Sequence, residues 1–144
     1  MKLKLDNETI AQEFFENSFL MGIVAPVKDY VFAWHINQRL GLSFRNNNGL
    51  EIQLRKKNRN YFFSVYQFLD TSVNTEHFLY NNQHDGEFLL PEFKHLDFLW
   101  LIKGDDLNKD ELISFMQSAR LIPAVQLVTE MASEKIKNKQ HLVL

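Results

Sequence analysis

The sequence contains no cysteine, which excludes disulfide frameworks, CxxC redox pairs and thiolate-held zinc or iron–sulfur centres. Glycine is scarce, at five in 144 residues, and no GxGxxG, Walker A or GxSxG arrangement occurs. Phosphate-cradling loops and a nucleophile elbow therefore have little to be built from. Sixteen basic against eighteen acidic residues leave a formal charge of −2, which argues against a broadly basic nucleic-acid surface. The histidines form no HxH, HExxH or HxxxH pair. His84-Asp85 and His95 with Asp97 fall short of a dedicated ligand cluster. The sequence calls for no metal, no cofactor and no identifiable small-molecule ligand. The longest uncharged stretch, residues 17–27, is shorter than the roughly 20 apolar residues of a membrane span. Asp6 and Glu8 interrupt the basic start before a signal-peptide core could form. A cytoplasmic protein without a membrane role is the expectation.

Phenylalanine, by contrast, is abundant, with 13 copies, and 45% of the chain is hydrophobic. Such a chain folds rather than staying disordered, and its length suits a single domain over residues 1–144.

The pattern along the chain mixes two periods. Residues 7–16 fit a short helix, and Phe19 to Val24 is an apolar strand stopped by Pro26, which has no N–H to pair. A helix opens at Lys28-Asp29, where Asp29 opposes the macrodipole, and stops at Gly41. Its apolar face is read as Tyr30, Ala33, Trp34, Asn37 and Leu40. Leu42 to Arg45 reads as a short strand, and Asn46-Asn47-Asn48-Gly49 as a turn. Leu50, Ile52 and Leu54 alternate with Glu51, Gln53 and Arg55, a half-solvated antiparallel strand. A polar turn at 56–60 leads into a strand over Tyr61 to Leu69, and another follows around Glu76 to Asn81. His84-Asp85-Gly86 is a turn. Asp97 to Lys103 is a strongly apolar strand. Asn108 or Asp106 caps a helix over 109–121 with Leu112, Phe115, Met116 and Ala119 inward. A last strand spans Ala124 to Thr129. If parallel, the strands at 98–102 and 124–129 would form a crossover around that helix. The series predicts an α+β fold, a two-layer sandwich. It has a mostly antiparallel or mixed sheet of about five to seven strands, with two main helices on one face.

Two strands are apolar on both faces. In one, Phe62, Tyr66 and Phe68 oppose Tyr61, Phe63 and Val65. In the other, Phe98, Trp100 and Ile102 oppose Leu99 and Leu101. Two helices cover one sheet face, so the second must be covered by the N-terminal segment, the C-terminal tail or another subunit. Left uncovered, it would be a patch of the kind that marks an interaction site. Tyr61, Phe62, Phe63, Tyr66, Phe68 and Trp100 form the candidate interaction face, with a homodimer as the first partner to consider.

Leu90-Pro91-Glu92-Phe93-Lys94-His95-Leu96-Asp97-Phe98 resembles the pattern that names the IPExxxVDY family of uncharacterised Bacteroidota-type proteins. Leu replaces Ile, Leu replaces Val and Phe replaces Tyr. Gly22 to Tyr30, followed by Trp34 and Asn37, is similar to that family's N-terminal segment. The resemblance spans most of the chain and implies a small cytoplasmic bacterial protein. It implies no activity.

The motif residues Pro91, Glu92, Asp97, Asp29, Trp34 and Asn37 read as structural. Pro91 stiffens the approach to a turn, Asp97 accepts backbone N–H bonds, and Asn37 ties its helix to neighbouring backbone. Glu92 and Asp97 admit a second reading as an acid–base pair, though nothing in the sequence fixes their separation. Arg55, Lys56, Lys57 and Arg59, next to Tyr61 to Phe63, offer cations beside aromatics and are the candidate contacts for RNA or single-stranded DNA. Their alternative is a solvated hairpin tip that blunts a sheet edge. The leading expectation is a non-catalytic protein–protein interaction or scaffold domain, homodimeric. A weak RNA-binding accessory protein comes second, and an enzyme of unrecognised type third.

Overall fold

A computed structural model describes the backbone of residues 2–144 and the side chains of 8–46 and 50–144. In chain order the main elements are α1 (Lys2–Phe15), β1 (Ser18–Val24), α2 (Asp29–Leu40), β2 (Arg45–Lys56), β3 (Arg59–Asp70) and β4 (Thr75–Asn81). They are followed by β5 (Gln83–His84), β6 (Glu87–Phe88), β7 (Phe98–Lys103), α3 (Lys109–Arg120) and β8 (Leu127–Met131). Six strands form one sheet in the order β2-β3-β4-β7-β1-β8, antiparallel at every pairing, and β5 and β6 make a separate two-stranded ribbon. The fold is an α+β sandwich.

Alternation along the central strands builds two cores. Phe98, Trp100 and Ile102 of β7 join Met21, Ile23, Tyr66 and Leu79 in a cluster under α2 and α3. Leu99 and Leu101 face the other way, with Leu20, Phe63, Val65, Phe78 and Tyr80. This second face is covered by the chain itself. Phe15 of α1, Leu89, Leu90 and Leu96 of the segment before β7, and Ile136 and Leu142 of the C-terminal tail complete its cluster. The Tyr80 hydroxyl donates to the Leu142 carbonyl at 2.7 Å, pinning the tail to the sheet.

Several local expectations need correction. α2 buries Phe32, Ala33 and Ile36, while Tyr30 and Trp34 stand 61% and 58% exposed. Residues 41–44 are irregular rather than a strand. The asparagine run does not reverse the chain: it lies within β2, where the register to β3 shifts between Asn46 and Glu51. The hairpin turn falls at Lys57-Asn58, within the polar turn expected at 56–60, with both residues at positive φ (54° and 60°), the backbone that a two-residue turn between twisted strands requires. β7 and β8 do run parallel, the condition set for a crossover around α3, with β1 between them antiparallel to both. The Asn108 side chain caps α3 by accepting the Glu111 N–H at 2.9 Å.

Candidate functional site

The two sequence blocks of the family resemblance converge at one end of the sheet. β1 ends at Val24, Ala25 follows fully buried, and α2 begins four residues later. Beside Ala25 the chain enters β7 at Asp97. One Asp97 carboxylate oxygen accepts the Ala25 N–H at 2.8 Å, and the Asp97 N–H donates to the Ile23 carbonyl, also at 2.8 Å. Asp97 thus ends the β1–β7 pairing by supplying an acceptor where the strand no longer can.

A cleft of about 310 Å³ opens here, lined by Lys28, Asp29 and Tyr30 of the α2 start, Asn81 at the end of β4, Gln83 of β5, Asp85 of the ribbon turn, and Asp97. Three carboxylates and one Lys line the cleft, and one of the three, Asp85, is paired with Arg59. Asp29 accepts the Tyr66 hydroxyl at 2.9 Å. Burial, reinforced by that bond to Asp29, pushes the Tyr66 hydroxyl pKa well up, so it stays a donor. Each of these carboxylates keeps lone pairs beyond the bond it makes inside the chain.

Trp34 lies one helical turn beyond Tyr30, so the two rings share one face of α2. The ring centroids of Trp34 and His35 are 5.2 Å apart, edge to face. On this same side of α2, two helical turns beyond Tyr30, Asn37 receives the Phe44 N–H at 2.8 Å and gives its amide N–H to the Phe44 carbonyl at 3.0 Å. Asn37 thereby ties helix to backbone as its sequence position suggested. It also satisfies the irregular segment that replaces the expected strand.

Glu92 and Asp97 serve different partners. Glu92 accepts both the backbone and side-chain N–H of Asn138, at 2.8 and 2.9 Å, and so anchors the tail. Burial alone would raise its carboxyl pKa, but the Asn138 hydrogen bonds outweigh this and hold it below the usual range. Pro91 opens a single 3₁₀ turn, Pro91–Phe93, on the way to β7.

Of the residues expected to form an interaction face, Tyr61, Phe63, Tyr66 and Trp100 are buried within the chain, Phe68 is half-buried, and Phe62 is exposed. Tyr61 and Phe63 lie on the sheet face packed by α1, the segment before β7 and the tail, whereas Tyr66, Phe68 and Trp100 lie on the face under α2 and α3, so the chain itself covers both. The basic hairpin is also engaged. Lys56 and Lys57 pair with Glu87, and Arg59 with Asp85. The Lys56 ammonium also donates to the Phe88 carbonyl at 3.0 Å. These acids sit on the β5–β6 ribbon, far enough along the chain that no local pattern signals the pairing. Arg55 is exposed and makes no ion pair among the described residues.

Sequence reasoning missed Asn82. It is fully buried, receives the Leu90 N–H and donates to the carbonyls of Phe93 and Leu96. It thereby shapes the loop that carries Pro91 and Glu92. Nothing in the run Asn81-Asn82-Gln83 distinguished it from a surface turn. Among the described residues no group of three or more His, Asp or Glu side chains is placed to hold a metal, and no helix is long and apolar enough to cross a membrane. No protein-family model, no curated protein and no solved structure matches the chain.

Proposed function

We propose that this chain is a non-catalytic protein-binding module that docks a partner segment carrying Lys or Arg on the outer face of α2. The observation that carries the reading is the exposure of Tyr30 and Trp34 on one helix face, at 61% and 58%, beside the cleft with Asp29, Asp85 and Asp97. Trp, Tyr and Arg dominate the energetic centres of protein interfaces. A cation over a Trp or Tyr ring gains about 0.5–2 kcal/mol, more as the site is desolvated. The neighbouring carboxylates add charge complementarity and steer basic partners. The reading rests on α2 rather than on the sheet.

Membership of the IPExxxVDY family is proposed with it, on the motif residues alone. Asp29 and Tyr30 from one block and Asp97 and Phe98 from the other line the same cleft. The cytoplasm is taken as the compartment on the cysteine-free composition.

The test is an array of short peptides of equal length. Half carry Lys or Arg between apolar residues, and half carry Asp or Glu in their place. The basic set is expected to bind, and Trp34→Ala and Asp29→Asn are each expected to weaken it. Equal binding of both sets, or basic binding indifferent to both substitutions, would overturn the reading.

A further inference from the structure

β2 is an edge strand: it pairs with β3 alone, and among the described residues, 51–56 make no backbone hydrogen bond outside that pairing. Its outer N–H and C=O groups are therefore free to receive another strand. Along this edge runs an open groove of about 460 Å³ between residues 50–54 and the C-terminal residues 140–144. Leu50 and Leu54 are half-buried on the groove side, and Leu144 is exposed beside it. Adding a strand would continue this apolar face.

The opposite face of β2 suggests which strand fits. Glu51, Gln53 and Arg55 are exposed, and neither Glu51 nor Arg55 has an ion-pair partner among the described residues. The two charges sit two residues either side of Gln53. An antiparallel copy of β2 centred on Gln53 puts Glu51 opposite Arg55 of the second chain, and Arg55 opposite its Glu51. Ile52 then faces Leu54 of the copy on the apolar side. Shifting the register by one residue in its pairing sum sets apolar side chains against charged ones. Shifting it by two removes both charge pairs. Protective edges carry charges that repel a second copy. This one carries opposite charges in a self-complementary order, as a twofold interface requires.

We propose that two copies of the chain associate through β2, antiparallel about Gln53, to form one continuous sheet across the dimer. The edge shares no lining residue with the α2 cleft, so this interface stands apart from the docking reading above.

Sedimentation over a concentration series tests it, with circular dichroism to verify that each variant is folded. The wild type is expected to approach twice 17.1 kDa. Glu51→Arg and Arg55→Glu each place like charges opposite one another twice, and each should weaken the dimer by about tenfold or more. The double variant Glu51→Arg/Arg55→Glu restores both pairs with the signs exchanged and should recover the wild-type dimer. A wild type that stays monomeric at every concentration overturns the proposal. So does a dimer indifferent to the single reversals, or a folded double variant that remains as weak as the singles.

Discussion

The Asp97 carboxylate accepts the backbone N–H of Ala25 at 2.8 Å across 72 residues of chain. This bond joins the turn that launches α2 to the start of the central strand β7. It therefore sets the position of Asp29 and Tyr30 at the cleft. Asp97→Ala leaves the buried Ala25 N–H without its acceptor and is expected to cost about 2 kcal/mol. Asp97→Asn keeps a neutral acceptor and should cost less. Urea denaturation of the two variants measures the difference.

Asn82 is expected to be the most costly polar residue to replace. Asn82→Leu fits the volume roughly but strands the Leu90 N–H and the Phe93 and Leu96 carbonyls. Several unpaired buried groups together should cost about 3 kcal/mol or more. Thermal melting of the variant reads this loss as a lower Tm.

His77 gives the fold an acid-sensitive point. It is 1% exposed, and its Nδ1 accepts the Trp100 indole N–H at 3.1 Å. The rings of Phe68, Trp100 and Phe115 lie within 6 Å. Burial, partly offset by the Asp70 charge, pushes its pKa down from 6.5 to about 4. The folded chain therefore keeps His77 neutral where the unfolded chain protonates it. Stability is unaffected above about pH 6.5, falls as the pH drops toward 4, and levels off below that, with a total loss of about 3 kcal/mol. His77→Gln removes the titration while keeping an acceptor for Trp100. Its stability should be flatter between pH 6.5 and 4 than the wild type's, as read by urea midpoints across that range.

Gly22 is fixed by packing across the second sheet face. A Cβ there would sit 2.5 Å from Leu96 Cδ1 and 2.8 Å from Met131 Sδ. Gly22→Ala is expected to destabilise by about 1–2 kcal/mol, because these side-chain ends must move. On a Leu96→Ala background the same change should cost much less. A double-mutant cycle by chemical denaturation measures the coupling.

The legible and illegible parts of the chain differ in the range of the physics involved. The two-faced strands were readable because side chains alternate along a strand. Phe98, Trp100 and Ile102 therefore fall in one cluster and Leu99 and Leu101 in the other. The Asn108 cap and the roles of Asn37 and Asp97 were readable for a similar reason, since short polar side chains at element ends seek backbone partners. The buried face of α2 is not legible because the helix carries two apolar stripes. Tyr30 and Trp34 look as core-like as Phe32 and Ile36, and only the position of the sheet decides between them. Gly22 and the pairing of Lys57 with Glu87 depend on segments distant in sequence, and Asn82 on the path of the loop that carries Leu90, Phe93 and Leu96. No local pattern announces them. What covers the second face was open for the same reason, since Leu142 reaches Tyr80 across 62 residues.

Tryptophan fluorescence tests the docking reading most directly, because the chain's two indoles are so differently placed. Trp34 is 58% exposed and Trp100 is fully buried. A short peptide carrying two arginines is titrated into the wild type and into Trp34→Phe, which retains Trp100. Docking on α2 should shift the wild-type emission to the blue as Trp34 leaves water, with no shift in Trp34→Phe. An unshifted wild type at saturating peptide, or an equal shift in Trp34→Phe, would contradict an α2 docking surface.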